Sequence, residues 1–109
     1  MESKSIAIMF KSIPSPEAKK LIAENEGKEN FIILDIRTPQ EFAGGSLPDA
    51  RNLDFYAGDF VQKLSELGKE NTYLIFCRSG NRSKAALGMM QQLGFNEVYE
   101  LDKGIISYL

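Results

Sequence analysis

Chemistry in this 109-residue chain has to be done without imidazole, because the sequence contains no histidine. That removes a Ser-His-Asp triad, a Cys-His dyad and every His-ligated metal site together. There is one cysteine, Cys77, so neither an intramolecular disulfide nor a cysteine zinc knuckle can form. Any thiol chemistry therefore rests on a single sulfur. Cys77 follows the apolar run Tyr73-Leu74-Ile75-Phe76 and precedes the polar, turn-prone stretch Arg78-Ser79-Gly80-Asn81. This reads as a strand, a loop and then a helix, with Cys77 at the carboxyl end of the strand, where open α/β sheets place their ligands. Gly80 and Asn81 tolerate unusual dihedrals and let the loop curl. A curled loop entering a helix aims several backbone N–H groups at one point, and the helix N-terminus adds partial positive charge there. Arg82 adds a full charge and Arg78 a second. Such surroundings lower a thiol from its reference pKa of about 8.5. They suit a nucleophilic cysteine that acts on, or carries, an anion. The competing reading is a buried, inert cysteine that happens to end a strand. Two arginines and a glycine at a strand–helix junction favour the reactive thiol.

The elements that must position this loop are legible on either side of it. Phe31-Ile32-Ile33-Leu34 is a second unbroken apolar run and ends at Asp35. Runs without alternation suit strands buried on both faces of a parallel sheet. Ile6 to Ile13 is predicted to hold a short strand. Ser15-Pro16-Glu17 reads as an N-cap, a first-turn proline and a first-turn acid, opening a helix that turns Ala18, Leu21 and Ile22 inward and stops near Gly27. Thr38-Pro39-Gln40-Glu41 is a capping box that opens a short helix ended by Gly44-Gly45. Arg51-Asn52-Leu53 reads as a brief strand, and Phe60, Leu64 and Leu67 as one face of a helix ended by Gly68. A helix is predicted from about Arg82 to Leu93 with Gly94 as its cap, then a strand at Val98-Tyr99 and a helical turn in Ile105 to Leu109. Met89 and Met90 on that helix read as core. Strands alternating with helices argue an α/β fold with a mainly parallel sheet.

Composition bounds the function. Hydrophobic residues make up 43% and charged residues 26%, as in ordinary globular domains. With 13 Lys+Arg against 15 Asp+Glu the net charge is −2, which argues against nucleic acid as a partner. No stretch approaches the roughly 20 apolar residues of a membrane helix. The run Ile6-Ala7-Ile8-Met9-Phe10 is too short for a signal-peptide core. The chain therefore reads as soluble and cytoplasmic, with no membrane partner. Residues 1–109 read as one domain whose first five residues are loose. Lys11, Lys19, Lys20 and Lys28 read as a solvated face.

Several ordered motifs resemble one known family. Cys77-Arg78-Ser79-Gly80-Asn81-Arg82-Ser83 resembles the active-site loop of rhodanese-domain sulfurtransferases. Leu34-Asp35-Ile36-Arg37 with Glu41-Phe42 resembles the family's Asp-x-Arg…Glu-Phe/Tyr segment. Gly45-Ser46-Leu47-Pro48-Asp49-Ala50-Arg51-Asn52-Leu53 resembles Gly-His-Ile-Pro-Gly-Ala-x-Asn-Ile. Val98-Tyr99-Glu100-Leu101-Asp102-Lys103-Gly104-Ile105 resembles the closing Val-x-x-Leu-x-Gly-Gly-Ile. The departures are Ser46 in place of the usual His, Asp49 and Lys103 in place of glycines, and Tyr108 where an aromatic, often Trp, is expected. None touches the nucleophile, and Asp49 and Lys103 are expected to tighten or shift turns.

The resemblance implies a rhodanese-like three-layer α/β sandwich, with a central, mostly parallel sheet flanked by helices. It also implies a thiosulfate sulfurtransferase in which Cys77 takes a sulfane sulfur from a small anionic donor. The Cys77 persulfide then gives that sulfur to cyanide, a thiol or a protein acceptor. No metal or organic cofactor is implied. Arg78, Ser79, Gly80, Asn81 and Arg82 are the expected substrate-binding loop, with Ser83 as loop support. Asp35 is expected to reach the loop and hydrogen-bond its backbone. Arg37 reads as an ion pair with Asp35 or Glu41, or else as a ligand for the anionic donor, and Glu41 as the capping-box acid alone. Loop length separates two chemistries. Cys77 to Arg82 is Cys-x4-Arg, whereas cysteine phosphatases resemble Cys-x5-Arg, whose added residue widens the cradle for a tetrahedral phosphate. Other readings are a carrier that passes persulfide between proteins and a non-catalytic interaction domain, though inactive rhodanese modules generally lack the loop cysteine.

Overall fold

The computed structural model describes residues 8–109. The N-terminal expectations at residues 1–7 lie outside the described residues. The chain runs β1 (Met9–Ile13), α1 (Ser15–Glu24), β2 (Phe31–Asp35), α2 (Pro39–Ala43), β3 (Arg51–Asn52), α3 (Phe60–Ser65), β4 (Thr72–Phe76), α4 (Asn81–Gln92) and β5 (Glu97–Leu101), then a 3-10 turn (Ile105–Ser107). The five strands form one sheet in the order β1-β5-β4-β2-β3. All pairings are parallel. β4 is therefore the central strand, and the loops that leave β2 and β4 emerge side by side at the carboxyl edge.

The two apolar runs behave as their lack of alternation requires. Successive side chains point to opposite faces, and both faces are covered. Ile32, Leu34, Tyr73 and Ile75 pack with Phe60 and Leu64 of α3, Ala86 and Met90 of α4, and Val98 of β5. Ile33, Leu74 and Phe76 pack on the opposite face with Ile13, Ala18 of α1, Leu101 and Ile105. Three layers result, with Cys77 in the first of these cores. Met90 is fully buried and Met89 half-buried, as expected of core residues.

The boundaries differ at instructive places. Ser15 is the first residue of α1 rather than its cap. Pro14 takes the extended cap conformation (φ −76°, ψ 166°), and no side chain bonds to the helix start. The Pro14 carbonyl accepts from the Ala18 N–H at 3.0 Å instead. α4 begins one residue early, at Asn81, because Gly80 caps it in the left-handed region (φ 104°), open to glycine without strain. Its last residue is Gln92, with Leu93 at the cap and Gly94 just beyond. The last strand extends over Glu97–Leu101, carried by pairing on both sides, with β1 and with β4. Asp49 (φ 64°) and Lys103 (φ 62°) adopt left-handed backbone, so these turns keep the glycine conformation without glycine.

Candidate active site at Cys77

Phe76 is the last residue of the central strand, and Cys77 lies just past it, 1% exposed, at the floor of the loop. Two features force the loop to fold back over the sulfur. Gly80 reverses the chain at its positive φ, and the segment after β5 anchors the loop's carbonyls. The Ile105 N–H donates to the Cys77 carbonyl at 2.9 Å and the Ile106 N–H to the Arg78 carbonyl at 3.3 Å. Gly104 makes that approach possible: a Cβ there would stand 2.1 Å from the Arg78 carbonyl oxygen. The result is a cradle. The Gly80 N–H donates to Cys77 Sγ at 3.1 Å and the Ser83 N–H at 3.4 Å, with the Ser83 hydroxyl 3.6 Å away. Burial raises the thiol's pKa. The N–H groups of Ser83, Gly80 and Ser79 act against burial, and the thiol is held below its ordinary value. Arg78, Ser79 and Asn81 are exposed and form the rim.

The arginines are placed differently from expectation. The Arg82 guanidinium is engaged by Glu41, with Nη1 donating to Oε1 at 2.9 Å and Nη2 to Oε2 at 3.3 Å. It also lies over the Tyr56 ring, 5.3 Å from its centroid. No donor to the sulfur comes from Arg82; the sulfur's donors are N–H groups of the loop and helix start. Glu41 is thus more than a capping acid. It closes the box with Thr38 and ties α2 to α4. Its carboxyl is pulled down to about 2, first by the Arg82 hydrogen bonds, against burial, with help from the Thr38 N–H.

Arg37 is the buried ion pair of the two readings considered. Its Nε donates to Asp35 Oδ1 at 3.0 Å, its Nη2 to Asp35 Oδ2 at 2.8 Å, and Nη2 also to the Gly45 carbonyl at 2.6 Å. Asp35 does not hydrogen-bond the Cys77 loop. Arg37, two residues along, folds back onto it, and the Ser46 hydroxyl, at the position where the resemblance leads one to expect histidine, takes Oδ2 at 2.8 Å. Asp35 and Arg37 therefore brace the neighbouring turn. Asn52 completes that brace by donating to the carbonyls of Asp35 and Arg37.

One residue beside the sulfur escaped the sequence reading. Glu100 is fully buried, and its Oε2 accepts from the Ser83 hydroxyl at 2.6 Å. The available signal was its alternation with Val98 on β5, which turns an acid toward the core.

Comparison with known proteins agrees with this geometry. The rhodanese-like domain family model matches residues 16–109. A sulfurtransferase of Allochromatium vinosum is 35% identical over 100 residues, covering 92% of this chain and 89% of that protein. The chain belongs to the rhodanese-like domain family. The thiosulfate sulfurtransferase GlpE of Pseudomonas putida is also 35% identical, over 87% of this chain and 81% of its own length. The crystal structure of a rhodanese-related protein from Thermoplasma volcanium superimposes with a TM-score of 0.73 at 29% identity, covering 91% of this chain and 90% of that one. Among the described residues no helix is long and apolar enough to cross a membrane.

Proposed function

We propose that this rhodanese-like protein is a sulfurtransferase that moves a sulfane sulfur through a Cys77 persulfide, with thiosulfate or a related anion as donor. The observation that carries the reading is the pair of N–H groups, from Gly80 and Ser83, converging on Cys77 Sγ at 3.1 and 3.4 Å. They stabilise a sulfur-centred anion, and the Cys-x4-Arg spacing, one residue shorter than the phosphatase pattern, disfavours the phosphatase alternative. The names of the relatives supply the donor class.

The steps follow from the geometry. The Cys77 thiolate attacks the outer sulfur of the donor. A new S–S bond forms to Cys77 as the donor's own S–S bond breaks, and sulfite leaves with that electron pair. The rim cation Arg78 has no ion pair among the described residues and meets the sulfonate oxygens, with Ser79 and Asn81 beside it. The persulfide anion then lies among the loop N–H groups. A thiol or cyanide acceptor attacks its outer sulfur, and the Cys77 thiolate departs, closing a ping-pong cycle. Gly80 shapes the cradle, while Arg82 and Ser83 hold its helix end. A lone thiol of this kind suits a reducing, cytoplasmic setting.

The test is intact-mass analysis after thiosulfate treatment, with Cys77→Ser as the blank. We expect the wild-type protein to gain one sulfur atom, lose it to cyanide, and show steady transfer between the two. Cys77→Ser is expected to do none of these while keeping its fold. Transfer by Cys77→Ser above background refutes the mechanism.

A further inference from the structure

The Ser83 hydroxyl owns one proton and has three polar neighbours, two of them acceptors and the third the Cys77 thiol, which donates to it. Its Oγ lies 2.6 Å from Glu100 Oε2, 3.1 Å from the Gly80 carbonyl and 3.6 Å from Cys77 Sγ. A separation of 2.6 Å between a hydroxyl and a carboxylate is that of a charge-assisted hydrogen bond, the stronger kind. The proton therefore belongs to Glu100. What Ser83 turns toward the sulfur is lone-pair density, which accepts from a thiol S–H and does not solvate a thiolate.

We propose that Glu100 is a positioning residue for the Cys77 nucleophile. By holding the Ser83 hydroxyl proton, it keeps Cys77 less ionised, and more nucleophilic once ionised, than the loop N–H groups alone would make it. The groups around Glu100 permit this. From β1 the Ser12 hydroxyl donates to Oε1. From α4 Lys84 Nζ reaches Oε1 at 3.1 Å, but Lys84 is shared with Asp102 of β5 at 2.9 Å, so its charge is divided between two carboxylates. β4 offers only Ile75, opposite Glu100 in register. Arg82, a second cation of α4 beside the loop, is already bound by Glu41. A thiolate at Cys77 thus faces a buried carboxylate one hydroxyl away with no dedicated counter-charge between them. Like charges in such proximity disfavour ionisation of the second group.

The consequence for sulfur transfer rests on the persulfide reading above. Loading moves the negative charge from Cys77 Sγ to the outer sulfur, about 2 Å further along the S–S bond and away from the Ser83–Glu100 pair. The repulsion that opposes the empty thiolate is thereby eased in the loaded anion. Glu100 biases Cys77 toward carrying sulfur. A more basic thiol is also the better nucleophile once deprotonated, and the best attacking thiol has a pKa near the ambient pH. Loop N–H groups that lower the pKa and an acid that raises it set that value between them.

The experiment measures the rate of Cys77 alkylation by iodoacetamide against pH, which reads the thiol without any sulfur donor. Wild type is compared with Glu100→Gln and Ser83→Ala, each checked for native circular dichroism. For Glu100→Gln the midpoint is expected to fall by about one pH unit, since the carboxylate charge is removed and the Ser83 proton is released to the sulfur. For Ser83→Ala the midpoint is expected to stay or fall, because that proton was never given to the thiolate. Loss of structure would move either midpoint up, toward the free-thiol value of about 8.5, so a fall is diagnostic. An unchanged or raised midpoint in Glu100→Gln overturns the proposal. If that variant does not fold, a rise in Ser83→Ala overturns it equally. Midpoints that shift as stated in a protein that gains no sulfur from thiosulfate would instead refute the sulfurtransferase reading and leave Glu100's role intact.

Discussion

Replacing Glu41 by Gln separates the helix cap from the ion pair, since a glutamine still completes a capping box but has no charge for Arg82. The folded carboxyl titrates at about 2. Its unfolded counterpart titrates at about 4.3, and a gap of roughly two units is worth about 3 kcal/mol. That is a ceiling. The Glu41 side chain is 29% exposed and the Arg82 side chain 15%, so solvent screens the pair and the expected value is about 1–1.5 kcal/mol. The folded pKa is depressed, so this stability is fully present above about pH 4.3 and is lost as pH falls toward about 2. Urea unfolding of wild type and Glu41→Gln at about pH 7 and about pH 2.5 measures it. The variant should be weaker by about 1–1.5 kcal/mol at the higher pH and lose most of that deficit at the lower. Curves separated by the same margin at both pH values would show that the deficit is packing or capping. Coincident curves would show that the α2–α4 tie contributes nothing.

Three further outcomes are expected. Gly104→Ala drives a Cβ to 2.1 Å from the Arg78 carbonyl oxygen, a backbone atom that cannot swing aside. It should cost about 3 kcal/mol or more in unfolding free energy and slow Cys77 alkylation at neutral pH. Lys103→Gly relieves a left-handed residue (φ 62°), a gain of about 1 kcal/mol partly offset by backbone entropy, and should leave Tm unchanged or raise it by a few degrees in calorimetry. Asp35→Asn strands the Arg37 guanidinium in a site where the aspartate is fully buried and the arginine side chain is 9% exposed. Chemical denaturation should show a loss of about 3–5 kcal/mol, with the Cys77 alkylation midpoint unmoved because Asp35 does not touch the loop.

The architecture was legible because it is written in local pattern. Two unbroken apolar runs announce strands covered on both faces, and alternation then deals Ile32 and Leu34 to one core and Ile33 to the other. The capping box at Thr38 and the loop after Cys77 are likewise contiguous, and both form where the spacing puts them. What the spacing did not disclose are the pairings between elements. Arg82 and Glu41 stand 41 residues apart, and the local sequence gives each a nearer duty, Arg82 at the loop and Glu41 in the capping box. Asp35 was expected at the loop because it ends the strand beside β4, but an arginine two residues away on its own chain reaches it first. Glu100 was hidden inside a motif read for its apolar and glycine positions. Periodicity says that such a residue points inward and stops short of naming the hydroxyl that meets it.

These pairings bear on how a histidine-free site manages charge. Arg82 and Lys84 enter the loop region from α4, yet the carboxylates of Glu41, Glu100 and Asp102 engage both of them. The sulfur is left to uncharged N–H donors fixed by the Gly80 turn and the helix start. In the proposed cycle, fixed dipoles do not need to reorganise as an anion forms, moves outward onto a second sulfur and returns, whereas a flexible cation bonded to the thiolate would have to follow it or release it. Binding the cations to acids keeps the cradle rigid and leaves Arg78 exposed at the rim, where the proposed mechanism has it meet the incoming anion. The same division explains why a shorter loop serves sulfur: one soft atom needs few converging donors, and two already lie within 3.1 and 3.4 Å of it.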